Sequence, residues 1–580
     1  MNHKKNKPYQ IKSKNNTVFN VNNSTAPLYE RLVQYASSGQ RSFHVPGHKN
    51  GSIYQTAGMS EALKQDIWEA ILRIDVTEIE GTDDLHHPEE VILKGQQLAS
   101  ACFGADESHW LVGGSTSGNL ALLLTVCAHP GDIVIVQRNV HKSIIHGLMM
   151  AGAKAVFLTP DVEPHSQLAV IPDLQSVKQA LHQYPEAKAV MLTSPNYYGI
   201  GIDLTAIAAE CHLHSIPLLI DEAHGAHYSH HSRFPSNALK AGADGVVQST
   251  HKMLAAMTMG AMLHIQGPLI NRTLLKQRLT MLQSSSPSYP IMASLDLSRY
   301  LIDQYGEELF AKGLEARDHF VQGVKKSTRF GVLEVSYSNT EHMESIKSAE
   351  PLSMNGDKLE GSKDDVISYW TQDPFKVVIY DRMDRLPGTQ LQKMLEQYGC
   401  FPEMSDDRYV VLVFSLGSQM EDTLHALQAL EQIEEQLVRK EAQEQIQENH
   451  QDEGTAGKEL LYSHGYHESD KASQYELCEV NPQDTRTPLL SEPVEFTMIP
   501  VSEEQIETIP LEEANGRQSA EMIIPYPPGI PVLYPGEYIG EQMHRQLMLV
   551  RSHPIKVQGA ADSSLHTIRV YIVSYDQSKD

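Results

Sequence analysis

Gly245-Val246-Val247-Gln248-Ser249-Thr250-His251-Lys252 is a short apolar run that ends in polar groups and a lysine. The run reads as a strand. A lysine set directly after a buried-looking strand is unusual, because lysine is rarely fully buried unless it is paired or used. Desolvation lowers an amine's pKa toward the range where its free base is a nucleophile. A free amine at a strand end can hold an aldehyde cofactor as a Schiff base. Pyridoxal 5'-phosphate is the common one, and it also requires a phosphate cradle and a carboxylate facing its pyridine nitrogen. Ser249 and His251 suit the phosphate, and Asp221, in Leu219-Ile220-Asp221-Glu222-Ala223-His224, is the candidate carboxylate. Taken alone, Ser-x-His-Lys fits a surface turn equally well, so the surrounding chain has to decide.

Working outward, strands and helices alternate. Residues 132–136, 155–158, 187–193, 216–220, 246–247 and 261–265 read as strands, and 141–150, 173–182 and 204–214 as helices. Such alternation indicates an α/β domain with a largely parallel sheet. Ligands in these sheets lie beyond the carboxyl ends of the strands. Segments 115–117, 141, 194–198, 221–224 and 249–252 all fall just after strands or at helix starts. That coincidence argues for one shared site.

Gly113-Gly114-Ser115-Thr116-Ser117-Gly118-Asn119 opens an apolar helix at 120–128. Glycines and hydroxyls at a helix start supply free backbone N–H groups and donors for an anion. Gly113 and Gly118 have P-loop spacing, but Asn119-Leu120 stands where that loop needs Lys-Ser/Thr. Asp221-Glu222-Ala223-His224 also spells a helicase box, yet without the lysine-bearing loop an ATPase reading fails. A phosphate site without nucleotide machinery remains.

The chain has 580 residues, enough for two or more domains, and its formal net charge of -26 argues against sequence-independent nucleic-acid binding. Five cysteines without paired or metal-ligand spacing fit a reducing compartment. No apolar run reaches the ~20 residues that span a bilayer, and no secretory signal opens the chain. The reading is a cytoplasmic protein without membrane or nucleic-acid partners. Residues 1–24 form a polar tail and 25–300 the major domain, with a C-terminal α+β domain in two parts, 301–440 and 483–580. Between them, 441–482 is an acidic insertion; 441–478 is rich in Glu, Gln, His and Asp without periodicity, and disorder is expected there. A long helix is expected over 295–310, and strands over 375–380 and 409–414.

The chain resembles the ornithine/lysine/arginine decarboxylase family of fold type I pyridoxal-phosphate enzymes. The carriers are Phe43-His44-Val45-Pro46-Gly47-His48-Lys49, Asp83-Asp84-Leu85-His86, Gly114-Ser115-Thr116-Ser117-Gly118-Asn119 and Arg138-Asn139-Val140-His141-Lys142-Ser143. Asp221-Glu222-Ala223-His224-Gly225-Ala226, Ser249-Thr250-His251-Lys252, Ser286-Pro287-Ser288-Tyr289-Pro290 and Pro525-Tyr526-Pro527-Pro528-Gly529-Ile530-Pro531 complete the set. The resemblance implies that Lys252 carries the cofactor, Asp221 pairs with its pyridine nitrogen and His141 stacks on its ring. Ser115, Thr116, Ser117, Ser249 and His251 would hold the phosphate, with Ala223 beneath the ring and His224 beside it. The implied substrate is arginine, lysine or ornithine, the implied product a polyamine or its precursor, and the implied assembly a homodimer or larger. Glu537 is a candidate for the substrate's distal cation.

Other readings stand beside these. His141 alone could be a helix-start residue bonding its own backbone, and Asp221 an N-cap. His224, His227, His230 and His231 imitate a metal cluster, but no cysteine or carboxylate completes a tetrahedral set, so no metal is expected. Transamination or aldol-type cleavage would use the same lysine, aspartate and cradle. A non-catalytic cofactor-binding relative would have no need to keep all three of Lys252, Asp221 and His141.

Overall fold

The computed structural model describes residues 10–12, 18–20, 25–55, 66–335, 370–453, 490–499, 502–526, 530–552 and 556–572. Its centre is a mixed sheet whose strands, in chain order, are β1 (Glu107–Leu111), β2 (Ile133–Gln137), β3 (Lys154–Leu158), β4 (Ala189–Thr193), β5 (Leu218–Asp221), β6 (Gly245–Gln248) and β7 (Ala261–Ile265). They lie in the order β3-β2-β4-β5-β6-β7-β1, and a two-residue strand, Val494–Glu495, adds antiparallel to β3. β2 to β6 run parallel, as the alternation of strands and helices requires. β7 is antiparallel to both β6 and β1. Two reversals restore the direction, so β1 ends at the same edge of the sheet as β2 to β6. The chain segments after β1, β2, β4, β5 and β6 therefore start from a single edge.

Both faces of the sheet are covered. β5, β6 and β7 are buried at every position. That is why these strands read as unbroken apolar runs rather than alternating ones. The helices begin where local chemistry places them. Asp173 accepts from Ser176 N at the start of Leu174–Gln183, and His141 accepts from Ser143 N at the start of Lys142–Ala151.

The expected long helix over 295–310 is displaced. The α-helix runs Tyr289–Tyr305, Gly306 takes a positive φ of 54°, and the chain continues as a 3-10 turn, Gly306–Phe310. A second, antiparallel sheet follows, built from β8 (Phe330–Val332), β9 (Lys376–Asp381), β10 (Met404–Ser405) and β11 (Tyr409–Val413), in the order β8-β9-β11-β10. The segment expected to be disordered from residue 441 begins as helix, because Met420–Glu453 continues through it. Glu441 is tied to buried Arg329 at 2.7 Å. Residues 454–478 of that expectation lie outside the described residues. So does most of the expected tail at 1–24, apart from a short pairing of Gln10–Lys12 with Val18–Asn20.

The C-terminal part has its own apolar cluster, including Leu511, Ile523, Leu533, Leu547 and Val570. It docks on the major domain through Tyr534, whose ring stacks on Phe157 at 4.8 Å and 3°. Such a pair contributes about 1 kcal/mol beyond its buried area. Of the proline-rich segment, residues 527–529 lie outside the described residues. No helix among the described residues is long and apolar enough to cross a membrane. The four described cysteines, Cys102, Cys127, Cys211 and Cys400, are free.

Candidate active site

Lys252 sits on a four-residue helix, Thr250–Met253, immediately after β6. Asp221 is the last residue of β5, in register with Thr193 of β4 and Val247 of β6. It is 3% exposed. Its Oδ2 accepts from Asn119 Nδ2 at 2.9 Å and its Oδ1 from Ala223 N at 3.2 Å. Asn119 Nδ2 also donates to Ser143 Oγ at 3.0 Å, and Ser143 Oγ meets His141 Nδ1 at 2.9 Å. A chain of hydrogen bonds thus fixes the carboxylate, the amide and the imidazole together.

His141 serves as a helix N-cap, the plainer of its two sequence readings, and it also lies beside the other candidates. Burial lowers its pKa, opposed by the Asp221 carboxylate and assisted by the Lys252, Lys142 and His146 charges. Its Nδ1 accepts from Ser143 N.

The anion cradle is assembled from two strand ends. Ser115 Oγ and Ser249 Oγ are 2.6 Å apart, across β1 and β6. Ser115 and Thr116 occupy the first turn of the helix Gly114–Val126, where the backbone N–H groups have no intrahelical acceptor. Gly114 holds a φ of 72° to turn the chain into that helix. Ser117 is in the same turn, but its hydroxyl donates back to Gly114 O at 2.8 Å. His251 Nδ1 donates to Gly260 O at 3.0 Å, which fixes a proton there.

Lys252 Nζ lies 3.1 Å from His224 Nε2. The other nitrogen of that ring, Nδ1, lies 3.1 Å from Lys376 Nζ. Tyr197, from the segment after β4, packs against His224 with ring centroids 4.8 Å apart and has Lys252 Nζ 6.0 Å from its centroid. Lys376, at the start of β9, is 2% exposed, so the second sheet contributes directly to the cluster.

The buried carboxylate with only neutral donors, the hydroxyl pair at a helix start and the half-buried amine suit pyridoxal 5'-phosphate. Asp221 takes part in no ion pair among the described residues, so a pyridinium would meet an uncommitted charge. Asn119 Oδ1 is buried without a hydrogen-bond partner, a further acceptor at the same place.

Glu537 is placed differently from its sequence expectation. Its Oε1 pairs with Arg138 at 2.6 Å, and its Oε2 accepts from Tyr534 N at 3.1 Å. Both oxygens are occupied within the chain. The four histidines that imitate a metal cluster also separate. His227 bonds Asp373 Oδ1 at 3.0 Å, and His230 packs edge-on against Phe103. No group of metal-ligating side chains converges among the described residues. Asp83, in the Asp83-Asp84-Leu85-His86 motif, accepts from Glu89, Glu90, Ile92 and Leu93 N and so caps the helix Val91–Phe103.

Asn119 and Lys376 are the residues that sequence reasoning passes over. Asn119 stands inside a quoted motif, where it marks only the absence of a P-loop lysine. Lys376 stands inside an apolar strand, Phe375-Lys376-Val377-Val378-Ile379-Tyr380. A lysine in such a run is the same signal that singles out Lys252.

Residues 26–422 match the family described as Orn/Lys/Arg decarboxylase, major domain, and residues 491–554 match its C-terminal domain. The Bacillus subtilis (strain 168) protein called "Uncharacterized protein YaaO" is 37% identical over 552 residues, 94% of this chain and 98% of that one. The arginine decarboxylase of the same organism is 31% identical over 545 residues, 94% of this chain and 97% of that one. Among solved structures, the lysine decarboxylase LdcF of Francisella novicida superposes with a TM-score of 0.69 at 21% identity, over 94% of this chain and 81% of that one. That likeness speaks for the fold.

Proposed function

The chain belongs to the Orn/Lys/Arg decarboxylase family, as a fold type I pyridoxal-phosphate-dependent decarboxylase of a basic amino acid, and from that premise we propose that its substrate is arginine. Support comes from the arginine decarboxylase of Bacillus subtilis, which aligns with this chain almost end to end. The product would be the corresponding amine, a precursor of polyamines, made in the cytoplasm.

The roles we assign follow from the convergence of Lys252, Asp221 and the Ser115–Ser249 pair at one sheet edge, which is the observation that carries this reading. Lys252 is the residue that takes the cofactor. Bound pyridoxal phosphate supplies an electron sink for the pair left at the substrate's α-carbon. Asp221 holds a proton at the pyridine nitrogen, and Asn119 and Ala223 N keep its two oxygens oriented. Ser115, Thr116, Ser249 and the helix N-terminus hold the phosphate, with His251 beside them. His141 would offer the ring a flat face, and Ala223 would pack beneath it. Ser117 contributes its backbone N–H rather than its hydroxyl.

We further assign a homo-oligomer, at least a dimer. The Phe43-His44-Val45-Pro46-Gly47-His48-Lys49 segment carries Phe43 at 94% and Val45 at 64% exposure, and Ile53 and Trp68 further along are exposed too. Large exposed apolar groups of this kind mark contact surfaces.

The test is to supply arginine, lysine and ornithine separately with the cofactor and to measure carbon dioxide and amine. Release of both from arginine in preference to the others is expected. Keto acid in stoichiometric yield without carbon dioxide would overturn the decarboxylase reading. Preference for lysine or ornithine would overturn the substrate.

A further inference from the structure

A half-buried amine and a buried one face the two nitrogens of one imidazole. Lys252 Nζ is 3.1 Å from His224 Nε2, and Lys376 Nζ is 3.1 Å from His224 Nδ1. Neither lysine takes part in an ion pair among the described residues. The stem of Lys376 is housed against Gly199, where a Cβ would stand 2.6 Å from Lys376 Cβ. Gly199 also has a φ of 81°, so the position is reserved for glycine on two counts.

A neutral imidazole has one N–H and one lone pair. It can accept from one ammonium only, and its N–H then faces the other amine, which must offer a lone pair. Burial and the surrounding positive groups, Lys376, Lys252, His141 and His251, keep His224 neutral by lowering its pKa well below the ordinary value. We propose that Lys376 is a positioning residue that sets the protonation of Lys252 through His224, so that the two lysines hold one proton between them. Lys252 gives a proton to His224 Nε2 while the Nδ1 proton passes to Lys376 Nζ. One N–H breaks and one forms at each end, no electrons change hands, and Lys252 is left as the free-base nucleophile.

The electrostatics agree. Burial lowers the Lys376 pKa to about 8, opposed by the Asp373 and Glu403 charges and assisted by Lys252. Burial also lowers that of Lys252, opposed by Asp221 and Glu403. Burial thus draws both amines toward their free-base forms.

This inference rests on Lys252 being the cofactor lysine, and the experiment separates the two. The full-length chain, stripped of cofactor, is pulsed with pyridoxal 5'-phosphate and borohydride at a series of pH values, and capture at Lys252 is read by peptide mass. In Lys376→Met the midpoint of capture should rise by about one pH unit, a tenfold loss of free amine at neutral pH. Lys376→Arg, which keeps a permanent cation on Nδ1, should restore the original midpoint. An unchanged midpoint in Lys376→Met, or an equal shift in both variants, overturns the relay. No capture at Lys252 at any pH overturns the cofactor assignment and the relay with it. The unmodified chain gives a check independent of variant folding. With lysines labelled at the ε-carbon, NMR should show Lys252 and Lys376 losing protons in two separated steps. Coincident titration at the ordinary lysine value overturns the proposal.

Discussion

Glu537 closes a salt bridge on Arg138, oxygen to guanidinium at 2.6 Å, and so ties the C-terminal part of the chain to the segment that carries His141. The tie is reinforced by Tyr534 OH, which donates to Arg138 O at 2.8 Å, by Lys142 Nζ, which donates to Gln558 at 2.9 Å, and by the Arg138 guanidinium over the Tyr534 ring. Both ends of the ion pair are about four-fifths buried.

Breaking it leaves a desolvated guanidinium without its counter-charge. Glu537→Gln should therefore lower stability by about 3 kcal/mol. The drop should appear in the urea midpoint, and cofactor-free protein should show it too. If the midpoint holds and only KM for the basic amino acid rises, Glu537 is a substrate group and the structural role is wrong.

Asp221→Asn tests the electron-sink partner. The amide can still accept from Asn119 or Ala223 N, but it cannot hold the pyridinium proton. The cofactor should remain bound through Lys252, visible by absorbance. The rate of carbon dioxide release should fall at least a thousandfold, about 4 kcal/mol of barrier. Near-normal turnover would place that partner elsewhere.

Much of this site is legible in the sequence because strand ends announce themselves. Asp221 and Lys252 each follow a run of buried aliphatics, and a charged group directly after such a run has few structural reasons to be there. Lys376 is harder to read. It opens β9, 152 residues from His224 along the chain, and no sequence period brings the two together. The pairing of Glu537 is hidden for a related reason. A carboxylate after a proline-rich segment has no visible partner in its sequence neighbourhood, and Arg138 lies in a distant segment. The helix through residue 441 is missed because its sequence there is uniformly polar. Its anchor is Glu441 on Arg329, which composition does not reveal.

Acid should destabilise the fold through two histidines near Phe103, His264 buried and His230 half-buried. Burial lowers His230 to about 4 and His264 to about 3. His264 stacks on Phe103 at 4.7 Å and bonds Ser108 Oγ at 2.7 Å. Their folded pKa values lie below the unfolded value of about 6.5. The unfolded chain therefore binds more protons below that pH, and stability is lost as pH falls from 6.5 toward 4. Each should cost about 2 kcal/mol between pH 7 and pH 5. Urea midpoints at pH 7, 6 and 5 should fall progressively, and His230→Phe should flatten that fall. A slope unchanged in His230→Phe would mean that this ring protonates in place.

Glu222 should behave in the opposite sense. It is 2% exposed, accepts from Ala238 N at 2.8 Å and from Gln248 Nε2 at 2.7 Å, and burial raises its pKa to about 8 against those two bonds. The folded state therefore keeps a proton that the unfolded chain releases near 4.5. A raised pKa contributes stability that is complete below the unfolded value and is lost as pH rises toward 8. Gln248 Oε1 is buried without a partner. A half turn of that amide would let its oxygen accept the Glu222 proton, so that the pair carries no charge. Glu222→Gln reproduces that neutral pairing permanently, its Nε2 donating where the acid proton stood. The variant should match the parent near pH 5 and gain on it with rising pH, by up to about 1.4 kcal/mol per unit as far as pH 8. Urea midpoints of the two proteins at pH 5, 6.5 and 8 give the comparison. A difference that stays constant across that range would mean that Glu222 is already ionised in the fold, with a counter-charge that its neighbours do not supply.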